Sequence, residues 1–228
     1  MSRNALWEEI FSTRAWGRYP PEDLIRFCAQ RFYTHQPRSD VKLFEVGIGT
    51  GANLWYLARE GFGVHGLEGS EAGATQARQR LDLECKGWNR GEADQLRVGD
   101  MCDPLPWADN HFDGVIDNDA VTCVDHESAC RVYAQMHRVT RPGGWLYVRT
   151  PAAGTWGEAT GEAHGHNAWR CSEGPFAGTG IVRFASEADL ADLLRTWKVM
   201  QVEQVTRTME NRSKVHTEWV IIAQKEDT

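Results

Sequence analysis

The chain lacks a long apolar run, an internal repeat and a low-complexity stretch. No segment approaches the roughly 18 apolar residues of a membrane helix. The first residues, MSRNALWEEIF, also lack the apolar run of a signal peptide. These absences predict a cytoplasmic, soluble protein with no membrane partner.

Paired cysteines and an excess of positive charge are also missing. The six cysteines form no C-x-x-C pair and no zinc-ligand spacing, so free thiols in a reducing cytosol are expected. His164, His166 and Cys171 lie in one segment but match no metal motif, so we expect no metal site. The net charge of −7 disfavours a broad grip on nucleic acid. The sequence does not decide between a monomer and a homodimer.

From Val41 onward, strand-like and helix-like segments alternate regularly, which predicts a mainly parallel sheet with helices on both faces. The last two strand-like runs have only the polar turn Glu210–Ser213 between them, so they must pair as an antiparallel hairpin. The expected strands are 42–46, 63–68, 95–99, 112–117, 144–150, 199–207 and 215–224, and the expected helices are 52–60, 70–83, 126–139 and 186–196.

The 228 residues suffice for a single α/β domain, which we divide into four parts. Residues 1–40 predict a helical cap interrupted at Pro20-Pro21, and residues 41–150 predict a cofactor-binding core. The glycine-rich segment 151–180 is long for a connector and contains aromatic residues, which favours a lid over the substrate. Residues 181–228 predict the last helix and the hairpin.

The segment FEVGIGTGANL, residues 44–54, predicts a buried strand, a glycine turn and a helix. Glycines let the chain turn sharply and let a ligand approach the backbone, and the following helix directs free N–H groups at that ligand. Glu45 lies beside this turn, and Glu68 ends the next strand. This pattern predicts a nucleoside-type cofactor site. The spacing also satisfies the dinucleotide fingerprint, and a glycine turn without any ligand is the remaining alternative.

Polar residues follow two later strands, where parallel sheets collect binding and catalytic groups. The turn at Asp100-Met101 offers a carboxylate and a backbone N–H to an adenine ring, or is an ordinary strand-ending turn. Asp117-Asn118-Asp119 follows a buried strand and predicts either a polar or cationic neighbour or simple capping. His126 is either a general base or a surface residue in the first turn of a helix.

Five motifs occur in one order along the chain: EVGIGTG at 45–51, GLEGS at 66–70, GDM at 99–101, LPWADNHFD at 105–113 and RPGG at 141–144. In this combination the chain resembles the class I S-adenosylmethionine-dependent methyltransferases. The resemblance is strong over residues 41–150, and the hairpin extends it to about 224. It implies a Rossmann-like sheet of seven strands and S-adenosylmethionine as cofactor, with S-adenosylhomocysteine as product.

The resemblance also implies roles for individual residues. The glycine turn would hold the methionine half of the cofactor. Glu68 and its neighbours would bind the ribose, and Asp100 and Met101 would bind the adenine. The Trp16–Pro20 segment looks like a flap in which Arg18 pairs with the cofactor carboxylate and Tyr19 faces the acceptor. The cofactor-binding residues expected in this way are Trp16, Arg18, Glu45, Gly47, Gly49, Gly51, Glu68, Gly69, Ser70, Asp100, Met101 and Asp117.

The expected reaction is an in-line methyl transfer to an O or N atom of a small molecule such as a sugar. Asp119 or His126 would act as the base, and Tyr19, Asp119 and Trp156 would contact the acceptor. The Asp-Asn-Asp run at 117–119 departs from the small or apolar residues of many relatives. The motifs of base-methylating DNA enzymes are missing, and the acidic charge disfavours tRNA or protein acceptors. A nicotinamide oxidoreductase and a non-catalytic cofactor-binding subunit are the alternatives from other classes.

Overall fold

The computed structural model describes residues 2–90 and 94–227. The two ends of the expected 1–228 domain and three residues of its core segment therefore lie outside the described residues. None of the described helices combines the length and the apolar run that crossing a bilayer requires.

The first half of the chain alternates helices and strands after a helical start. The elements are α1 (Arg3–Thr13), α2 (Glu22–Phe32), β1 (Lys42–Val46), α3 (Ala52–Arg59), β2 (Gly63–Glu68), α4 (Glu71–Glu84), β3 (Leu96–Val98) and β4 (Phe112–Asn118). Short 3₁₀ turns lie at Arg38–Asp40 and Val121–Cys123.

The second half begins with the longest amphipathic helix and ends in two long strands. Its elements are α5 (His126–Val139), β5 (Thr140–Pro151), β6 (Glu162–Ala163), β7 (Ala168–Arg170), β8 (Ile181–Arg183), α6 (Glu187–Leu193), β9 (Lys198–Met209) and β10 (Lys214–Gln224).

Seven strands form one sheet in the order β3-β2-β1-β4-β5-β10-β9. The first five are parallel, and β10 pairs antiparallel with both β5 and β9. This arrangement confirms the predicted Rossmann-like fold class and the terminal hairpin. The chain order reverses between β1 and β4, which in open parallel sheets is where ligands bind, at the carboxyl ends of the strands.

Alternation along the central strands places apolar side chains on both faces of the sheet. In β1, Phe44 and Val46 belong to one buried cluster, together with residues of α5 and α6. Leu43 faces the other way and belongs to a second cluster, with residues of α2, α3 and α4. The central strands are therefore buried on both faces, and polar side chains at their carboxyl ends are held in a rigid frame.

Residues 151–180 contain more regular structure than their sequence predicts. β6 and β7 form an antiparallel pair, and β8 extends it to a three-stranded sheet. Cys171, Val182 and Phe184 form a small core of their own beneath it. Strands of two or three residues are too short to show an alternating pattern, which is why the sequence predicts only a loop here.

Candidate functional site

A cavity of about 260 Å³ lies at the carboxyl ends of β1, β2 and β4. Its walls come from α1, the segment after α1, the glycine turn, and the residues that follow β2, β3 and β4. Nine of the predicted site residues line it: Trp16, Tyr19, Glu45, Gly47, Gly49, Glu68, Gly69, Met101 and Asp119.

The glycine turn between β1 and α3 adopts a backbone that other residues rarely take. Gly47, Gly49 and Gly51 have φ angles of 65°, 53° and 80°. A Cβ on Gly47 would lie 2.4 Å from the Cβ of Ala120, and one on Gly51 would lie 2.7 Å from that of Ala77. Gly51 does not line the cavity but precedes α3 as its N-cap residue. The turn therefore needs glycine both for conformation and for space.

Glu45 presents a buried carboxyl group to the cavity. Its Oε1 accepts a hydrogen bond of 2.6 Å from Asn53 Nδ2, and its buried Oε2 has no hydrogen-bond partner among the described residues. Burial raises the pKa of Glu45 to about 8, with the negative charges of Glu68 and Asp117 adding to it and the Asn53 hydrogen bond opposing it. The site therefore holds an acid that a bound cation would convert to a carboxylate.

Glu68 ties the end of β2 to the glycine turn. Its Oε2 accepts from the Gly49 N–H at 2.7 Å and its Oε1 from the Ser70 N–H at 3.0 Å. Burial raises the pKa of Glu68, although these backbone hydrogen bonds oppose the shift. Each oxygen keeps a further lone pair, so the carboxylate can also accept from a ligand hydroxyl.

The end of the cavity beneath β3 is lined by Gly99 and Met101, together with Arg3 and Asn4 from α1. The Asp100 carboxylate forms an ion pair with Arg3 and accepts from the Cys102 N–H at 2.8 Å. Burial alone would raise the pKa of Asp100, but the Cys102 hydrogen bond and the charge of Arg3 lower it. Asp100 thus joins α1 to the strand end, and Gly99 and Met101 face the cavity.

The opposite end is lined by Asn118 and Asp119, directly after β4. The Oδ1 atoms of both side chains are buried, and no group in the described parts of the chain donates a hydrogen bond to them. Asp119 has a φ of 60°, which aspartate and asparagine tolerate better than most residues. Burial and then the negative charge of Glu218 raise the pKa of Asp119 well above its usual range, although Arg149 opposes them.

Asp119 lies beside a network of charged side chains, of which Arg149 and Glu218 act on its pKa. Arg149 on β5 forms ion pairs with Glu218 on β10 and, at 3.1 Å, with Asp23 on α2. Burial alone would raise the pKa of Glu218, but His216 and Arg149 lower it to about 2. Glu218 thus stays charged, and Asp119 is the group of the pair that takes up a proton.

Aromatic side chains of the first twenty residues form a wall over the cavity. Trp7, Phe11 and Trp16 line it, and the Trp16 ring meets the other two edge-on at centroid distances of 5.5 Å. Tyr19 lines the rim against Trp55, also with 5.5 Å between ring centroids. The wall excludes water from one side of the site and leaves Tyr19 largely exposed.

Besides Asp100, which pairs with Arg3 and does not line the cavity, three predicted cofactor ligands are used for other contacts. Arg18 lies outside the cavity, where Nη2 bonds Glu84 Oε1 at 3.1 Å. Ser70 caps α4 through the Gly73 N–H and donates to Glu8 of α1 at 2.6 Å. The contacts predicted for Arg18 and Ser70 with the cofactor do not fit these placements.

Asp117 is the third of these residues. It is fully buried, and its oxygens accept from the N–H groups of Ala120 and Val121 and from the Tyr133 hydroxyl, at 3.0, 3.0 and 2.7 Å. The carboxylate therefore fixes the turn that follows β4. Capping is one of the two roles that the sequence predicts for the Asp117–Asp119 run. The predicted contact of Asp117 with the cofactor does not fit this buried position.

His126 and Trp156 also lie away from the cavity. His126 begins α5, and its Nε2 lies 2.8 Å from Asp192 Oδ2 on α6. Trp156 hydrogen-bonds Glu173 and has Lys214 over its ring at 5.4 Å. Since both rings are engaged elsewhere, the base function predicted for His126 and the acceptor contact predicted for Trp156 do not fit the structure.

Several lining residues were not predicted from sequence. Arg3, Asn4, Asn53 and Cys123 all line the cavity. Asn118 also lines it, and the sequence does point to this residue, because it lies in the polar Asp117–Asp119 run at the end of a predicted strand. Trp7 and Phe11 are four residues apart, which places them on one face of α1, but nothing in that spacing indicates that the face covers a cavity.

Residues 44–148 match the family described as a methyltransferase domain. Over 118 residues, or 47% of this chain, the sequence is 30% identical to the biotin biosynthesis bifunctional protein BioHC of Teredinibacter turnerae. The chain spans only 19% of the length of that curated relative.

Solved structures of methyltransferases share the fold. A methyltransferase of Methanosarcina mazei is similar with a TM-score of 0.62 at 20% identity, covering 83% of this chain and 94% of that one. The 1,6-didemethyltoxoflavin-N1-methyltransferase of Burkholderia thailandensis, solved with bound S-adenosylhomocysteine, gives 0.60 at 18% identity, covering 90% and 79%. The chain thus matches a methyltransferase domain model over residues 44–148 and shares the fold of these solved methyltransferases.

Proposed function

We propose that this protein transfers the methyl group of S-adenosylmethionine to an O or N atom of a small-molecule acceptor. The observation that carries the proposal is that one cavity has two differently equipped sides. The glycine turn and Glu68 line one side, and Asn118 and Asp119 line the other, each with a side-chain oxygen that has no hydrogen-bond partner among the described residues.

For the cofactor, we assign the methionine half to the glycine turn and Glu45. A cation there would meet the free Oε2 of Glu45. The ribose hydroxyls would donate to Glu68 beside Gly69, and the base would lie against Gly99 and Met101. Asp100 would act through its ion pair with Arg3, which holds α1 over the base.

For the acceptor, the lone oxygens of Asn118 and Asp119 favour a group that brings its own O–H or N–H donors. Asp119 is the candidate general base because it lines the cavity and its buried Oδ1 receives no hydrogen bond from the described residues, so that oxygen is available to the O–H or N–H of an acceptor. The sulfonium loses its positive charge during the transfer, so alignment and exclusion of water are the main contributions of the remaining residues.

A small acceptor is favoured by the cover of the cavity, because α1 and the aromatic wall close one side of it. We propose residues 1–40 as the cap, 41–150 as the cofactor core, 151–180 as an insert beside the cavity that could close over a bound acceptor as a lid, and 181–228 as the last helix and closing hairpin of one domain. A reducing cytoplasmic location is consistent with six free cysteines.

The test is a screen for formation of S-adenosylhomocysteine with panels of small amines, phenols and sugars, with Asp119→Asn beside the parent protein. Asparagine tolerates the left-handed backbone at this position but cannot take a proton. We expect kcat with an active acceptor to fall about 100-fold or more in the variant, the usual effect of removing a general base. Affinity for S-adenosylhomocysteine should stay unchanged.

Full turnover by Asp119→Asn would remove this residue from the mechanism. Turnover confined to a protein or tRNA acceptor would overturn the small-molecule proposal. A folded protein that binds the cofactor but methylates no acceptor of any class would leave the non-catalytic subunit as the better description.

A further inference from the structure

Two histidines from distant segments meet outside the methyl-transfer cavity. His126 is the first residue of α5, and His166 lies in the turn between β6 and β7. Their ring centroids are 5.0 Å apart, and the ring planes are nearly perpendicular. Forty residues separate them in sequence, so no local spacing motif reports the pair.

Two carboxylates on α6 complete the cluster. His126 Nε2 lies 2.8 Å from Asp192 Oδ2, and His166 Nε2 lies 2.6 Å from Asp189 Oδ1. One potential ligand atom from each of His126, His166 and Asp189 lies within 4.8 Å of the other two. The group is therefore already close to the separations that one metal ion would impose.

The carboxylate of Asp189 is held in place by its second oxygen. Asp189 Oδ2 accepts from the Ser186 N–H and Oγ, both at 2.8 Å, and from Asn167 Nδ2 at 2.9 Å. This leaves Oδ1 directed at His166. A carboxylate that is fixed through one oxygen and pairs with a histidine through the other is the kind of preorganisation that metal sites require.

His126 supplies an independent indication. Its Nδ1 is out of contact with solvent, and no group within residues 2–90 and 94–227 forms a hydrogen bond with it. With Nε2 hydrogen-bonded to Asp192, the ring is oriented by a carboxylate at one nitrogen and presents a lone pair at the other. Metal-ligating histidines have this arrangement, in which the carboxylate fixes the tautomer and the ring orientation.

We propose that His126, His166 and Asp189 bind a transition-metal dication, with Zn²⁺ the best fit, and that Asp192 orients His126. Two imidazoles and a carboxylate favour Zn²⁺ over Mg²⁺ or Ca²⁺, which prefer oxygen ligands throughout. Zinc bonds to nitrogen and carboxylate oxygen measure about 2.0 to 2.2 Å, so small side-chain rotations bring the three ligands together.

The site is a structural metal site and takes no part in methyl transfer. A bound ion would join the turn at 164–167 to both α5 and α6, and so attach the three-stranded sheet to the main domain. The metal site is close to the cavity in sequence: Cys123, which lines the cavity, ends the 3₁₀ turn Val121–Cys123 three residues before His126. This proposal departs from the expectation of no metal, because only the folded chain brings the two histidines together.

The experiment is calorimetric titration of metal-free, full-length protein with ZnCl₂, and with MgCl₂ for comparison. The variants are His166→Ala and, as the matched control, His164→Ala, which removes an exposed histidine of the same segment outside the cluster. Both positions are exposed, so both variants should fold. We expect one Zn²⁺ per chain, no saturable Mg²⁺ binding, and a loss of about tenfold or more in Zn²⁺ affinity for His166→Ala only.

Thermal unfolding gives the second readout. Zn²⁺ should raise the melting temperature of the parent protein and of His164→Ala, because an ion that binds only the folded state stabilises it, and should raise that of His166→Ala less. Equal Zn²⁺ affinity in the two variants, or no saturable Zn²⁺ binding by the parent protein, would overturn the proposal. Binding of S-adenosylhomocysteine should be retained in both variants, which separates this test from that of the methyltransferase function.

Discussion

At the scale of single residues, Glu45 is the group whose charge depends most directly on the ligand. Its pKa is raised to about 8, first by burial, so the free protein holds it protonated at neutral pH. A cationic ligand beside it favours the carboxylate. We therefore predict that binding of S-adenosylmethionine releases a proton from Glu45, and that affinity rises as the pH increases from about 6 to 8.

Titration calorimetry in buffers of different ionisation enthalpy measures this proton release. Glu45→Gln is the control, because it keeps the acceptor for Asn53 but has no proton to lose. Its binding enthalpy should be less dependent on the buffer than that of the parent protein. The same buffer dependence in both proteins would contradict the assignment of the released proton to Glu45.

The sequence predicts the residues of this site unevenly. Gly47, Glu45 and Glu68 follow from their positions beside a strand end, because the fold fixes what lies there. The sequence does not reveal the contacts of Arg18 and His126, because their partners, Glu84 and Asp192, are 66 residues away in each case. Long-range pairing of polar side chains leaves no local pattern in a sequence.

At the scale of elements, the turn between β1 and α3 depends on the absence of a side chain at Gly47. We predict that Gly47→Ala costs about 1 to 3 kcal/mol of stability and abolishes cofactor binding, since the new Cβ would meet Ala120 and the residue would be held at a positive φ. Urea unfolding and calorimetric titration with S-adenosylhomocysteine measure the two effects.

Gly17→Ala is the matched control for this prediction. Gly17 also lines the cavity, but nothing lies within 4 Å of the position that its Cβ would occupy. Its stability should change by less than about 0.5 kcal/mol. A Gly47→Ala protein as stable and as well bound as Gly17→Ala would show that the turn does not need glycine.

Regular elements were predicted well where their patterns are long. The parallel strands, α5 and the hairpin turn at Glu210–Ser213 lie where the sequence predicts them. β5 begins at Thr140 rather than near 144, because Thr140 already pairs with Phe112 and the RPGG segment forms an irregularity within the strand, with Gly143 at a φ of 72°. The last helix ends at Leu193 rather than near 196. In 151–180, packing around Phe184 organises strands that local pattern cannot report.

At the scale of the whole molecule, the Arg149 network joins α2, β5 and β10 below the cavity. Glu218 has a pKa lowered to about 2 in the folded state, from an ordinary value of 4.5. Its contribution is therefore fully present above pH 4.5 and is lost as the pH falls through about 2. We predict that Glu218→Gln destabilises the protein at neutral pH by about 3 kcal/mol, because it leaves Arg149 under-compensated in a buried place.

Unfolding in urea at a series of pH values measures this contribution. The difference between the parent protein and Glu218→Gln should be largest near neutral pH and should shrink as the pH falls below 4.5. Glu203→Gln on the exposed edge strand β9 is the control and should differ little from the parent at any pH. A constant difference across the series would contradict the charged state assigned to Glu218.

The most direct test of the central claim is calorimetric titration with S-adenosylmethionine, S-adenosylhomocysteine and NADH, on the parent protein and on Glu68→Gln. We predict roughly micromolar binding of both sulfur nucleosides and none of NADH, with affinity reduced about tenfold or more in the variant, whose amide replaces a buried charged acceptor. The melting temperature of Glu68→Gln shows that it is folded. Binding of NADH in preference to the sulfur nucleosides, or unchanged affinity in the variant, would contradict the account.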